Sequence, residues 1–286
     1  MQLINFAIVA ILLGIVATML LNIGKGVSKF GLKKLGEKIE PKKKYTAIWI
    51  IGILITSSSV IVNIFALDFG EASIVAALAG VGLVSLIIFS YFILNENLDK
   101  IVYSGITLTI CGTIIVGLFS RETHQEAFNF GLFWILFIIF LIPVLLCIIY
   151  TFKNEFKYFG FIFGAFAGLL SGFAVVLEKM GLIVMGGVKN FFIMLFTMGG
   201  LLFVIAIILG LTATSFTQYG LTRGKASILV PAFNSFYIVI PVTCEYLVFN
   251  TALHVAQIIG IILILIGIIL MTAFKPEPLD ASPLDK

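Results

Sequence analysis

The chain has 286 residues, of which 61% are hydrophobic and 11% are charged, whereas a soluble domain carries about a quarter of charged residues. This composition excludes a soluble globular domain, a nucleic-acid-binding protein and a coiled coil, and it predicts a protein embedded in a lipid bilayer. The net charge of +4 is modest, so its distribution along the chain is more informative than its sum.

Long apolar stretches between short charged gaps predict nine membrane-spanning helices, since one span needs about 20 predominantly apolar residues. The first stretch lacks the basic start and the cleavage pattern of a signal peptide, so we expect it to remain as a span. The predicted spans are 1–24, 45–67, 72–95, 101–120, 127–152, 158–177, 190–222, 226–249 and 255–274.

The orientation follows from the basic residues, because short cytoplasmic loops carry the excess of Lys and Arg. Eight lysines lie between Lys25 and Lys44, in the predicted connection of the first two spans. With that connection inside, fifteen of the 18 basic residues lie inside, and Arg121, Lys179 and Lys189 lie outside. We therefore expect the N-terminus outside, the C-terminus in the cytoplasm and the cell membrane as the location.

An internal repeat with a constant offset relates the two halves of the chain. The segment that begins at Leu67, LDFGEASI, matches LTRGKASI at Leu221, 154 residues later. The same offset places Gly14 on Gly168 and Lys25 on Lys179. Gly105 and Gly112 match Gly260 and Gly267 at an offset of 155. We expect a first four-helix repeat at 1–120, a linker helix at 121–157, a second four-helix repeat at 158–274 and a disordered tail at 275–286.

The single linker helix turns the second repeat upside down relative to the first. The two copies of the duplicated loop agree, because the outer copy has Asp68 and Glu71 whereas the inner copy has Arg223 and Lys225. Inverted repeats are typical of secondary transporters, whose substrate sites lie near the midplane between the repeats. The pattern predicts an all-α membrane transporter or channel.

Several segments resemble the drug/metabolite transporter superfamily, which includes EamA-like permeases, and within it the NIPA-type magnesium transporters. The most specific segment is SYFILNENL, which begins at Ser90 and is followed by Gly105 and Gly112. SILVP at Ser227, the pair Thr243 and Cys244, and AFK at Ala273 are also similar. The resemblance implies a helical bundle that moves Mg²⁺ or a related divalent cation. The alternative is an exporter of small organic metabolites, such as amino acids or drug-like compounds.

Two carboxylates in or beside the spans are candidate cation ligands, because Mg²⁺ prefers oxygen ligands and keeps several waters. Glu245 lies inside the eighth span and is the candidate metal ligand, since an ionisable residue within a span is a functional candidate. Glu178 lies at the outer end of the sixth span, where it adds negative charge to the same side. Both residues are predicted to belong to the substrate pathway.

Near the midplane the predicted spans carry hydroxyl and amide groups and no charge. Asn63, Asn234, Tyr237 and Ser58 are the candidate pathway residues there. Such groups could contact a hydrated ion weakly, or hydrogen-bond a neutral or zwitterionic metabolite in an apolar cavity. Both substrate classes therefore remain open, as does a scaffold that transports nothing.

Enzyme chemistry has little support in the sequence. His124 and His254 lie in or beside outer connections without the HExxH spacing of a zinc site, and Ser171 lacks the GxSxG context of a nucleophile elbow. We expect no enzymatic activity and no cofactor. The expected partners are the transported ion or small molecule and the bilayer, with a homodimer left open.

Overall fold

A computed structural model describes residues 2–37, 41–69, 78–95, 100–119, 128–153, 158–185 and 197–272. Within these residues the chain forms nine helices, which confirms the predicted all-α fold. The predicted tail 275–286 and Glu71 of the first duplicated loop lie outside the described residues. The helices are α1 Gln2–Gly36, α2 Lys42–Phe69, α3 Ala79–Phe89 with a π-helical turn Ser90–Leu94, α4 Lys100–Phe119, α5 Phe130–Lys153, α6 Phe159–Met185, α7 Met198–Arg223, α8 Ala226–Leu247 and α9 Val255–Thr272.

Two helices run well beyond their predicted ends. α1 continues past Gly24 to Gly36, and α6 continues past Leu177 to Met185. Lys25 and Glu178 therefore lie within helices rather than in connections. A charged residue marks the end of a span only where the helix has left the bilayer and the protein interior. Both of these side chains are buried in the protein, so the helices continue through them.

Six of the described helices, namely α1, α2, α5, α6, α7 and α8, are long and apolar enough to cross a membrane. Large apolar side chains are exposed on many of them, as expected for a surface that contacts lipid rather than water. The linker helix α5 illustrates this, because Ile135, Ile142 and Leu146 are all more than half exposed. The chain is an integral membrane protein, and α5 packs on its periphery against α6.

The central helix α6 is buried along almost its whole length. Glycines on one face bring its backbone against α8, because a Cβ atom at Gly164 or Gly168 would collide with the Leu229 or Phe233 carbonyl oxygen. Small residues at four-residue spacing allow this close packing of helices in membranes. The same helix packs against α7 on another side.

Equivalent helices of the two predicted repeats make equivalent contacts. α1 packs against α2 and α3, as α6 packs against α7 and α8, and α4 packs against α9. In the last pair Gly112 meets Gly260 and Gly105 meets Gly267 at backbone distance. The offset of 155 residues matches Gly112 with Gly267 and Gly105 with Gly260. Exchanging the two repeats therefore converts one glycine pair into the other, as a two-fold axis between the repeats requires.

Lysine side chains join the two halves at the ends of helices. Lys29 of α1 donates hydrogen bonds to the carbonyl oxygens of Leu221 and Gly224, at 3.0 and 2.8 Å, where α7 ends. Lys179 of α6 donates to the Leu67 carbonyl, at 2.9 Å, near the end of α2. Cations are favourable at helix C-termini, whose last carbonyls have no partner within the helix. Leu67 and Leu221 are matching positions of the duplicated loop, so both copies accept a lysine hydrogen bond. The donors do not match, because the offset of 154 residues relates Lys179 to Lys25 and not to Lys29.

Candidate functional site

A cavity of about 60 Å³ lies between the two halves, lined by residues of α1, α2, α6, α7 and α8. One water needs at least about 10–15 Å³ of cavity, so the space admits a few water-sized groups. Its lining combines apolar side chains with hydroxyls, amides and two ionisable groups. The polar and ionisable lining residues are Thr18, Lys25, Thr56, Ser59, Asn63, Ser171, Glu178, Thr214, Thr217 and Tyr237.

Three side chains from three helices form a hydrogen-bonded row in the cavity wall. The Tyr237 hydroxyl of α8 donates to Asn63 Oδ1 at 3.4 Å, and Asn63 Nδ2 of α2 donates to Glu178 Oε2 of α6 at 3.5 Å. Both bonds are long. Glu178 lines the cavity, and a single long hydrogen bond from Asn63 leaves its carboxylate oxygens able to bind a cation.

Lys25 is the second ionisable residue of the cavity. It is 1% exposed, and its Nζ atom lies 2.9 Å from the centroid of the Phe233 ring on α8. Among the described residues Nζ has no hydrogen-bond partner. A cation over an aromatic face gains about 0.5–2 kcal/mol, which is less than the cost of burying an unpaired charge. An ionisable residue buried in a membrane bundle is a functional candidate.

Glu178 and Lys25 lie at opposite ends of the cavity. Glu178 precedes Lys179, whose side chain reaches the C-terminal end of α2. Lys25 lies one helical turn before Lys29, whose side chain reaches the C-terminal end of α7. That end of α7 lies beside the start of α2, because Trp49 Nε1 donates to Gln218 Oε1 at 3.0 Å. We call the two ends of the cavity the α2 end and the α7 end.

The structure brings together three of the six predicted pathway residues, namely Asn63, Tyr237 and Glu178. Ser58 is exposed on α2 and donates to the Ile55 carbonyl of its own helix at 2.7 Å. Asn234 is fully buried and donates to Asn22 Oδ1 at 2.9 Å.

The predicted metal ligand Glu245 is buried near the end of α8 and is not part of the cavity lining. It lies two residues before Leu247, at which the helix ends. Among the residues that the structure describes, Glu178 provides the carboxylate that lines the cavity.

Sequence reasoning missed Lys25 as a lining residue, because the lysine-rich stretch after Gly24 resembles a cytoplasmic connection. A signal was present in the spacing, since Lys25, Lys29 and Lys33 recur every four residues and share one helix face. Their targets on α8, on α7 and at Leu94 of the π-helical turn lie elsewhere in the sequence, so no local pattern reveals them.

The donor set suits a hydrated hard cation held loosely. Carboxylate, amide, hydroxyl and phenol oxygens surround the space near Glu178, and hard cations prefer oxygen ligands. In the part of the chain that the structure describes, no three His, Cys, Asp or Glu side chains cluster as a metal site. A cation here would keep much of its water, as Mg²⁺ usually does in proteins.

A cavity with a partly polar lining, between two packed halves of a membrane bundle, is the arrangement in which secondary transporters hold their substrates. The sequence profile of the family "Magnesium transporter NIPA" matches residues 5–277. The chain therefore belongs to the NIPA magnesium transporter family. This confirms the resemblance drawn from the sequence motifs.

A relative from Arabidopsis thaliana, described as "Probable magnesium transporter NIPA9", is 30% identical over 192 residues. The match covers 61% of this chain, and the chain spans about half, 55%, of the length of that relative. No solved structure matches the chain significantly.

Proposed function

We propose that the protein transports Mg²⁺, or another divalent cation, across the membrane through the cavity between its two halves. The observation that carries the proposal is the buried Glu178 carboxylate, which lines this cavity beside amide and hydroxyl oxygens from other helices. Family membership supports Mg²⁺ over an organic metabolite as the substrate. The protein then moves the ion chemically unchanged and needs no catalytic group.

Weak coordination is what a transport site requires, since the ion must enter readily and also leave. One carboxylate with neutral oxygens provides little binding energy for a divalent ion compared with a site of several carboxylates. Asn63 and Tyr237 position that carboxylate, and the threonine and serine hydroxyls of α2 and α7 offer contacts to the water shell of the ion. Glu178, Asn63 and Tyr237 are the proposed substrate-pathway residues.

The experiment is Mg²⁺ uptake into proteoliposomes that contain the purified chain and an internal Mg²⁺ indicator, with protein-free vesicles as the control. We expect protein-dependent, saturable uptake that Mn²⁺ or Co²⁺ inhibits by competition. Folded protein that moves no divalent cation under several pH gradients would contradict the proposal. A panel of labelled amino acids and amines in the same vesicles then tests export of organic metabolites.

Glu245 is tested in the same assay through the variant Glu245→Gln. Since this residue lies outside the cavity lining, loss of uptake with unchanged Mg²⁺ binding would identify it as a second point on the pathway. Unchanged uptake would restrict the pathway to the cavity and contradict the sequence-based prediction for Glu245.

We also propose that the protein lies in the cell membrane, with inverted repeats, an outer N-terminus and a cytoplasmic C-terminus. The exposed lysines at the start of α2 and the paired glycine contacts of α4 and α9 support this arrangement. Labelling with a membrane-impermeant thiol reagent in intact cells tests it. Asn250→Cys, in an outer connection, should react, whereas Lys43→Cys should react only after the membrane is permeabilised.

A further inference from the structure

A buried lysine in a cavity proposed to carry a divalent cation calls for a physical explanation. Lys25 adds a positive charge to the space in which Glu178 offers a negative one. Like charges in a confined, poorly hydrated space repel each other far more strongly than in bulk water. The lysine therefore opposes binding of the cation that the carboxylate attracts.

Within the described part of the chain, Lys25 does not hold a helix end as its neighbours do. The neighbouring lysines of α1 hold helix ends, because Lys29 donates to the Leu221 and Gly224 carbonyls and Lys33 donates to the Leu94 carbonyl at 2.6 Å. Lys25 makes no hydrogen bond to the described residues and rests against the Phe233 ring. Lys25 and Phe233 both line the cavity, so a charge on this ammonium acts on the substrate space.

We propose that Lys25 sets the affinity of the cavity for its cation, weakening binding at Glu178 and thereby speeding release. This inference rests on the proposed function. From the α7 end the ammonium repels a cation held at the α2 end, so the bound state is shallower than Glu178 alone would make it. A transport site must bind loosely enough to release its ion, and a fixed opposing charge achieves this without removing a ligand.

The arrangement also opposes passage of a bare cation towards the α7 end. The Phe233 ring holds the ammonium in place, and the backbone carbonyl of Phe233 faces Gly168 on α6. The position of Lys25 is therefore coupled to the packing of α8 on α6. A cation at Glu178 meets the full repulsion as long as these helices stay in contact.

Lys25→Met tests the inference, because methionine keeps the length of the side chain and its contact with the aromatic ring while removing the charge. We expect the KM for Mg²⁺ to fall about tenfold, as removal of a nearby like charge predicts, and the maximal rate to fall as well because release slows. Equilibrium Mg²⁺ binding should tighten by a similar factor. Lys25→Arg keeps the charge and should restore most of the wild-type KM.

Lys34→Met is the matched control, since it removes one positive charge from the same helix at a partly exposed position paired with Glu37. It should change neither KM nor maximal rate. Thermal unfolding of Lys25→Met should occur at the wild-type temperature or above, because replacing an unpaired buried charge by an apolar group does not destabilise a fold.

The outcomes separate the two proposals. Absence of Mg²⁺ binding and flux in the wild type overturns the proposed function. Wild-type flux together with an unchanged or raised KM in Lys25→Met overturns the inference alone. A fall in the unfolding temperature of Lys25→Met also overturns it, because the lysine would then be a structural group.

Discussion

Replacing Glu178 by glutamine removes the negative charge from the cavity and leaves the shape of the side chain almost unchanged. The amide retains an oxygen that can accept the 3.5 Å hydrogen bond from Asn63. The fold should therefore persist, and the unfolding temperature should not fall, because the variant no longer buries a charge. The expected effect is on the cation alone.

Its size follows from the contact that is lost. A hydrogen bond or water-mediated contact to a charged group contributes about 1.5–3 kcal/mol, which predicts Mg²⁺ binding weaker by about 10- to 100-fold. The binding loss should appear in titration calorimetry, and proteoliposome uptake should fall at Mg²⁺ concentrations below the wild-type KM. Ion selectivity should weaken too, because the remaining oxygens are neutral.

Glu37→Gln provides the control for a general effect of charge. Glu37 is a partly exposed carboxylate at the end of α1, paired with Lys34, and its replacement changes the net charge equally. If Glu178→Gln transports Mg²⁺ with the wild-type KM, or if both variants lose activity equally, the assignment of Glu178 as the cation ligand is wrong.

Three further variants test the site and the fold. Asn63→Leu breaks the hydrogen-bonded row between Tyr237 and Glu178. It should lower Mg²⁺ uptake by about tenfold, as loss of a ligand-orienting partner does. The control Ser58→Ala, on the exposed side of α2, should change uptake far less. Lys179→Met removes the hydrogen bond to the Leu67 carbonyl and should destabilise the protein by about 1.5–3 kcal/mol. The unfolding temperature should fall, and Lys179→Arg should partly restore it. An unchanged unfolding temperature would contradict a bracing role for Lys179. Gly112→Val should disrupt the α4–α9 crossing, where a Cβ meets the Gly260 carbonyl, and should abolish the monodisperse peak in size-exclusion chromatography. Gly210→Ala, with no atom within 4 Å of its Cβ, should fold normally, and equal behaviour of the two glycine variants would refute the crossing.

The number and the approximate bounds of the helices were predictable from composition. In a bilayer every backbone group must be paired within its own helix, so apolar length alone marks a span. α2 illustrates this, since it was predicted at 45–67 and lies at Lys42–Phe69. The prediction missed the ends of α1 and α6, where charged residues continue into the bundle.

The site was predictable only in part. Asn63, Tyr237 and Glu178 are polar or ionisable residues in or beside apolar spans, and that contrast marks them as functional candidates without any knowledge of their neighbours. The same contrast also selected Ser58, which the structure leaves on the outside of α2. Which face of a helix turns inward depends on its partners, and the nearly uniform apolar character of a span conceals that face.

The sequence by itself predicted the family and the helices, and it contains a repeat that relates the two halves, because these features follow from local composition and from motifs along one chain. The tertiary structure decided which charges share a space. Glu178 and Lys25 are far apart in the sequence and meet in one cavity only because glycines let α6 pack closely on α8 and lysines join α1 to α7 and α6 to α2. The balance between an attracting carboxylate and an opposing ammonium depends on distances that no local pattern contains.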